Sequence, residues 1–513
     1  MTRRLLPIVL FCAAAAAAQN PFVDVQHYRI EIDVPAAGNE IAAIAELTVK
    51  PLMSSTTLEL DFGALEIDEV LVEGERAAFE RTGERLRIET GVRAAPFKVR
   101  IRYHGKPADG LFLQANKYGD HGAFADNWPN RAHHWFPSVD HPSDKASVEL
   151  LITAPAKYGV VANGTHTATT TLPDGRKRTH WSEPAPIPVH CMVFGATEFA
   201  VVRAGEAKGT PIEYYLYPLD RERGVREFGR TQQIVELYST LFGPYPYGKL
   251  ALVESSTRFG GMENASAIFL DEKRIDGHGT MERLVAHEIA HQWFGNSVTQ
   301  REWADLWLSE GFATYFGDLF FERADGAEAF AQRMRESRDA YLKANANGSR
   351  PVYNRTTDLS SLLNRFTCEK GAWVLHMLRG IMGDAPFFAA VREYYTEFRD
   401  RNATTEELRA VMEKHAGQPL DWFFQQWIFE RGHPVYSVTW NWNEGKTAIT
   451  IEQTQGGTVF RMPMVVEVRS RTGSQRQTVL IDERREQIEI AIEQSPMIVV
   501  IDPEEWVLKE MAQ

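Results

Sequence analysis

The chain has 513 residues, 44% of them hydrophobic and 24% charged, with a formal net charge of −13 at neutral pH. That length suffices for roughly two to four domains with sizeable cores. An acidic balance without a basic stripe argues against nucleic-acid binding. The only cysteines are Cys12, Cys191 and Cys368, and the last two fall in different predicted domains, which argues against a disulfide framework.

Residues 1–18 read as a signal peptide. Arg3 and Arg4 form its positive end, Leu5–Ala14 its apolar run, and Ala16-Ala17-Ala18 a small-residue cleavage site before Gln19. The run is too short to span a membrane comfortably, and no later run is long and apolar enough. The expectation is an exported protein, periplasmic or secreted, without stable membrane insertion; an uncleaved anchor is the other reading. The sequence sets no oligomeric state.

Residues 19–204 read as a β domain. His27–Val34, Leu58–Phe62 and Phe97–Tyr103 alternate with period two, separated by turn signals such as Ala37-Gly38-Asn39 and Pro173-Asp174-Gly175. This predicts a sandwich-like domain. Within it, Asp126–Arg131 and Trp135–Asp140 form an aromatic loop, read as packing between domains. Gly205–Gly209 reads as a linker. Residues 205–432 turn mainly helical, with a strand at Leu250–Glu254. Thr280 is placed to cap a helix, and Thr404-Thr405-Glu406-Glu407 is a capping-box signature. Val374, Leu378 and Ile381, then Phe387, Val391 and Tyr394, follow helical spacing as core stripes. Residues 433–513 return to β: Tyr436, Val438, Trp440 and Trp442 alternate, as do Ile488, Ile490 and Ile492. The fold class expected is α+β multidomain, ending in a small C-terminal β-sandwich.

The chemistry concentrates between residues 260 and 310. His287 and His291 in His287-Glu288-Ile289-Ala290-His291 are four apart, so on a helix they share one face and can hold a metal ion from one side. Glu288 beside them is placed to take a proton from water. Glu310, in Leu306–Phe316, reads as the third ligand from a second helix. Two His and a carboxylate with one open position make a hydrolytic zinc site. The five residues alone also fit a surface helix, but the aromatic run Gln292-Trp293-Phe294-Gly295-Asn296 reads as buried. Upstream, Gly260 and Gly261 let a backbone approach a ligand closely. Glu263 can pair with a peptide's ammonium and so place the first peptide bond at the metal. Met262 would line the first side-chain pocket.

Gly260-Gly261-Met262-Glu263-Asn264, then the His287–His291 motif, then Glu310 after 18 intervening residues, resembles the zinc aminopeptidases of the gluzincin class. That family includes membrane alanyl aminopeptidase and leukotriene hydrolase. The resemblance runs over nearly the whole chain after the first twenty residues. It implies one zinc ion held by His287, His291 and Glu310, Glu288 as general base, and Gly260–Asn264 as the substrate-binding motif with Glu263 anchoring the amine. It also implies peptides with a free N-terminus as substrates, an N-terminal β domain and a thermolysin-like catalytic domain. Many members add a large helical domain. The expectation here is its absence and a more open site.

Three positions depart from the family. Trp128 stands where an N-domain residue contacts the substrate amine, with Asp126 or Asn127 as possible substitutes. Gly317 stands where a glutamate often supports the metal from behind. Cys368, in Cys368-Glu369-Lys370-Gly371, stands where a tyrosine donates to the oxyanion, and a thiol is a shorter and weaker donor. Cys368 leaves several readings open: a slow enzyme relying on zinc, a replacement donor such as Tyr353, or a zinc- and peptide-binding protein without turnover. A thiol approaching the metal and a small buried apolar residue are two more. A zinc hydrolase acting on a non-peptide substrate is a further alternative.

Overall fold

The computed structural model describes residues 22–512; the predicted leader lies outside them. The N-terminal region is built on an eight-stranded sheet. Its spatial order is Thr165–Thr171, Lys177–Pro188, Lys145–Ala154, Val23–Asp33, Ile41–Pro51, Phe97–Gly105, Glu66–Val72 and Glu75–Arg76. Neighbours are antiparallel except Val23–Asp33 with Lys145–Ala154, which run parallel with His27 opposite Ser147. The period-two pattern fixes the faces: Val25, Tyr28, Ile30 and Ile32 are buried, while Asp24, Arg29 and Glu31 lie on the outer side. A four-stranded sheet and a small three-stranded sheet complete this region.

The middle region has a five-stranded sheet in the order Ala200–Ala207, Thr210–Leu216, Leu250–Ser255, Ala267–Asp271 and Gly261–Met262. Its first two strands form a hairpin that runs through the expected linker Gly205–Gly209. Lys208 and Gly209 both have positive φ, at 51° and 84°, the conformation of a tight two-residue hairpin turn. Gly205 lies in the strand where the register shifts. These glycines turn and kink a sheet; they do not separate domains.

Three helices carry the site: α1 (Glu282–His291), α2 (Trp307–Ala324) and α3 (Gly371–Met382). A π-helical turn, Phe366–Lys370, leads into α3. Thr280 does not cap α1. The Glu227 carboxylate, more than fifty residues upstream, accepts from the Gly279 and Met281 backbone amides at 3.0 and 3.1 Å. A tertiary carboxylate thus satisfies amide groups ahead of the helix. Thr404 does cap its helix, with Glu407 completing a capping box.

Glycines set how closely the three helices pack. A Cβ on Gly317 would lie 3.2 Å from the Cα of His287, and one on Gly311 would lie 2.9 Å from the carbonyl carbon of Gly371. Asp318, fully buried on α2, binds Arg283 of α1 through both carboxylate oxygens at 2.7 and 2.9 Å.

The C-terminal region pairs a four-stranded with a three-stranded sheet. Tyr436 is buried as its spacing predicts, but Trp440, toward the turn at Glu444-Gly445, is exposed. His376 of α3 stacks on Trp506, rings 4.6 Å apart, and joins this region to the helices of the middle region. One hydrophobic core runs from Val23 to Leu508. Among the described residues no helix is long and apolar enough to cross a membrane.

Candidate metal centre and peptide site

The four-residue spacing on α1 brings the Nε2 atoms of His287 and His291 to 3.0 Å. Glu310, in the first turn of α2, places its carboxylate oxygens 3.6 Å from His287 Nε2 and 4.0 Å from His291 Nε2. Donors held ~2.0–2.1 Å from one tetrahedral ion stand about 3.4 Å apart, so the three residues fit a zinc ion. Their outer nitrogens are engaged elsewhere, which directs Nε2 inward. His291 Nδ1 lies 3.2 Å from the Phe294 carbonyl and 2.9 Å from Ser309 Oγ; His287 Nδ1 lies 3.5 Å from Thr314 Oγ1. Burial, reinforced by His287, lowers His291 to about 3, keeping the lone pair a metal needs. Burial pushes Glu310 up, but the hydrogen bond from His287 and the two imidazoles outweigh it and hold Glu310 at about 2.

Glu263 and Glu288 join this cluster. Their carboxylate oxygens and a ring nitrogen of His291 all lie within 4.8 Å of one another. Burial, then the neighbouring carboxylate charges, pushes both glutamates well above the usual range. Gly261 is required by the packing: a Cβ there would meet Glu288 Oε1 at 2.2 Å. Gly261 and Met262 form the edge strand of the five-stranded sheet, paired on one side only, opposite Leu270 and Phe269. Met262 is buried. Gly260 lies against the Arg274 guanidinium, and its carbonyl accepts from Asp271. Asn264 is fully buried, and its carboxamide takes no protein hydrogen bond.

The polar residues after the second histidine have a role that sequence reasoning missed. The Glu263 carbonyl accepts from Gln292 Nε2 at 2.6 Å and Asn296 Nδ2 at 2.7 Å. Gln292 Oε1 also accepts from the Ser266 amide at 2.8 Å. The segment after α1 therefore clamps the Gly260–Asn264 loop against the metal centre. Two polar side chains in an otherwise aromatic, buried run were the available signal.

The departures now have structural accounts. Trp128 is buried edge-to-face against Phe259 and Trp303 at 5.5 and 6.1 Å, the interdomain packing expected of its loop. Asp126 is bound to Arg131 at 2.6 Å. The Asn127 carboxamide is occupied by the Val189 and Met192 carbonyls and by Trp135. The substitutes considered for an amine contact are thus engaged in packing. Gly317 faces the backbone of His287, so a side chain there would press on the metal helix. Cys368 Sγ donates to Glu310 Oε2 at 3.4 Å, and burial pushes the thiol well up. Lys370 anchors the turn, fully buried with its ammonium near the rings of Tyr341 and Trp427. The Tyr353 hydroxyl accepts from Arg355, and its ring packs on Phe429.

A two-histidine, one-glutamate centre between two helices, with a second and third carboxylate, Glu263 and Glu288, beside it, is the arrangement of the zinc metallopeptidase class. Comparison with known proteins places the chain within that class. The Peptidase M1 N-terminal domain matches residues 24–190 and the Peptidase family M1 domain matches residues 226–427. The chain belongs to the peptidase M1 family. It is 26% identical over 499 residues to probable aminopeptidase 1 of Sulfurisphaera tokodaii, covering 90% of this chain and 60% of that protein. It is 28% identical over 448 residues to tricorn protease-interacting factor F2 of Thermoplasma acidophilum, covering 80% and 54%. The chain thus spans little more than half the length of these relatives. The crystal structure of an M1 zinc metallopeptidase from Deinococcus radiodurans shares the fold, with a TM-score of 0.70 at 24% identity, covering 80% of this chain and 95% of that one.

Proposed function

We propose that the chain is a zinc aminopeptidase that removes N-terminal residues from peptides. The position of Glu263 carries this reading. A carboxylate so close to the metal ligands leaves room for one residue's ammonium and obstructs an internal chain segment. Charge supports the same assignment: three buried carboxylates, Glu263, Glu288 and Glu310, converge, and a divalent metal plus one ammonium supplies matching positive charge. A bound zinc ion supplies a Lewis acid for the scissile carbonyl and for water. Glu288 takes the proton from the attacking water and passes it to the leaving amine. The free side of the Gly261–Met262 edge offers backbone groups to an extended peptide. The 1–18 leader pattern supports export to the periplasm or outside the cell.

Cys368 favours a second reading, a zinc- and peptide-binding protein with impaired turnover. Its thiol is directed at Glu310, so it does not replace a phenol that donates to an oxyanion. Losing one such donor typically costs about 10²–10³ in rate. Hydrolysis of a panel of amino-acid arylamides by wild type, Glu288→Ala and Cys368→Tyr, with metal content measured on each, separates the two. Turnover abolished by Glu288→Ala supports the enzyme. A zinc-loaded wild type with no turnover, rescued by Cys368→Tyr, supports the binding protein. Zinc-free wild type with no affinity for peptides sinks both.

A further inference from the structure

We propose that the N-terminal β region holds a second divalent metal ion of the zinc class, bound by Glu84, His133 and His134. One ligand atom from each of these residues lies within 4.8 Å of the others. Glu84 Oε2 lies 3.5 Å from His133 Nε2, and Glu84 Oε1 lies 3.8 Å from His134 Nδ1. These are the separations seen across the catalytic cluster, and they suit donors sharing one ion about 2 Å away. They are long for hydrogen bonds.

A second, independent observation points to a ligand. His133 Nε2 and His134 Nδ1 are both buried and take no hydrogen-bond partner, although His133 is only 6% exposed. Buried polar atoms are rarely left without partners. His133 is also oriented as metal-binding histidines are: its Nδ1 is hydrogen-bonded to Asp140 Oδ2 at 2.7 Å, which turns Nε2 toward Glu84. Asp140 is itself fixed, accepting from the His133 amide and donating its own amide to Asp61. Arg85, next to Glu84, pairs with Asp61 at 2.7 Å and leaves the Glu84 carboxylate to the imidazoles. Gly63 keeps the place open: a Cβ there would sit 3.0 Å from His134 Nδ1.

The donor set, two imidazoles and one carboxylate, is that of a zinc-class ion rather than of calcium or magnesium, which prefer oxygen ligands. Glu84 stands at a hairpin turn between Phe79–Thr82 and Arg85–Glu89 and is solvent-exposed, which gives an entry path. The ion would tie this turn to the segment 132–134. That segment continues from Trp128, which packs against Phe259 beside the peptide loop. The ion's role is therefore to brace the N-terminal wall of the active site, not to take part in chemistry.

Metal-stripped full-length protein would be titrated with Zn2+ alone and the bound ion counted by elemental analysis after gel filtration. Wild type should retain two ions per chain. Glu84→Gln and His134→Gln should retain one and keep arylamide turnover at saturating zinc. His287→Ala with His291→Ala should retain one and still gain thermal stability on adding Zn2+. Glu84 is an exposed turn residue, so its variant reports even if the histidine variants fold poorly. One ion in wild type that is lost in His287→Ala with His291→Ala, or two in Glu84→Gln, overturns the proposal. The first of these outcomes would leave His133 as an imidazolium shared by Asp140 and Glu84.

Discussion

Gly261→Ala tests whether the backbone of the peptide loop positions Glu288. The added Cβ would lie 2.2, 2.7 and 2.9 Å from Oε1, Cδ and Cγ of Glu288. Ordinary contact begins near 3.4 Å, so the carboxylate must retreat by about 1.2 Å. Retreat is possible because the blocking atoms end a flexible side chain, whereas the backbone of Gly261 is held in the sheet. A displacement of ~1 Å at a catalytic group costs on the order of 10²-fold. Stopped arylamide assays should show kcat lowered about 10²-fold with KM changed little. Zinc content should be unchanged, because His287, His291 and Glu310 are not touched. Thermal midpoint should fall only slightly. Wild-type kcat in Gly261→Ala would refute the packing argument. Loss of zinc would mean the substitution deforms α1 itself.

Glu263→Gln should lower kcat/KM by about 10- to 10²-fold on substrates with a free amine, since it removes one charge-assisted bond of ~1.5–3 kcal/mol; equal effects on N-acylated and free-amine substrates would contradict an amine anchor. Gln292→Leu leaves the Ser266 amide without its acceptor and the Glu263 carbonyl with one donor, so it should destabilise the fold by about 1–3 kcal/mol in urea titration; an unchanged midpoint would show the clamp to be dispensable. His376 gives a pH dependence. Burial lowers it to about 3, against ~6.5 unfolded, so between those values the unfolded state binds more protons. Its contribution is present in full above pH ~6.5 and lost as pH falls toward 3, at up to about 1.4 kcal/mol per pH unit. His376→Phe, which keeps a ring against Trp506, should flatten urea-derived stability between pH 6.5 and 5; an unchanged slope would assign the acid sensitivity to other groups.

The grouping of His287, His291 and Glu310 is legible because its signal is local: two histidines one turn apart, and a carboxylate on the next helix. What escaped was set by distant residues. The cap on α1 comes from Glu227, so the nearby Thr280 misled. The turn at Lys208-Gly209 shares its composition with linkers, and only strand pairing across it tells the two apart. Gln292 and Asn296 were visible as polar residues in an aromatic run, but their common target, the Glu263 carbonyl, is fixed by tertiary packing. Trp128 was read as packing from its aromatic neighbours. Asn127 is committed to Val189, Met192 and Trp135, and the first two lie more than sixty residues away, beyond any local signal.

The centre is assembled largely by leaving side chains out. Gly261 admits the Glu288 carboxylate. Gly295, at φ 124°, admits Ser309 Oγ, to which a Cβ would come within 2.3 Å, and through it the hydrogen bond to His291. Gly311 and Gly371 meet backbone to backbone, which brings the Phe366–Lys370 turn close enough for Cys368 to reach Glu310. Gly317 lets α2 lie against the backbone of His287. At this last position the lack of a side chain goes with the close approach of α1. A side chain on this face of α2 would press on the His287 backbone, which would have to give by a few tenths of an ångström. The charged tie between the helices is instead Asp318 with Arg283, one turn before His287. What α2 gives His287 at this point is close helix packing, with Thr314 Oγ1 3.5 Å from His287 Nδ1 as the polar contact.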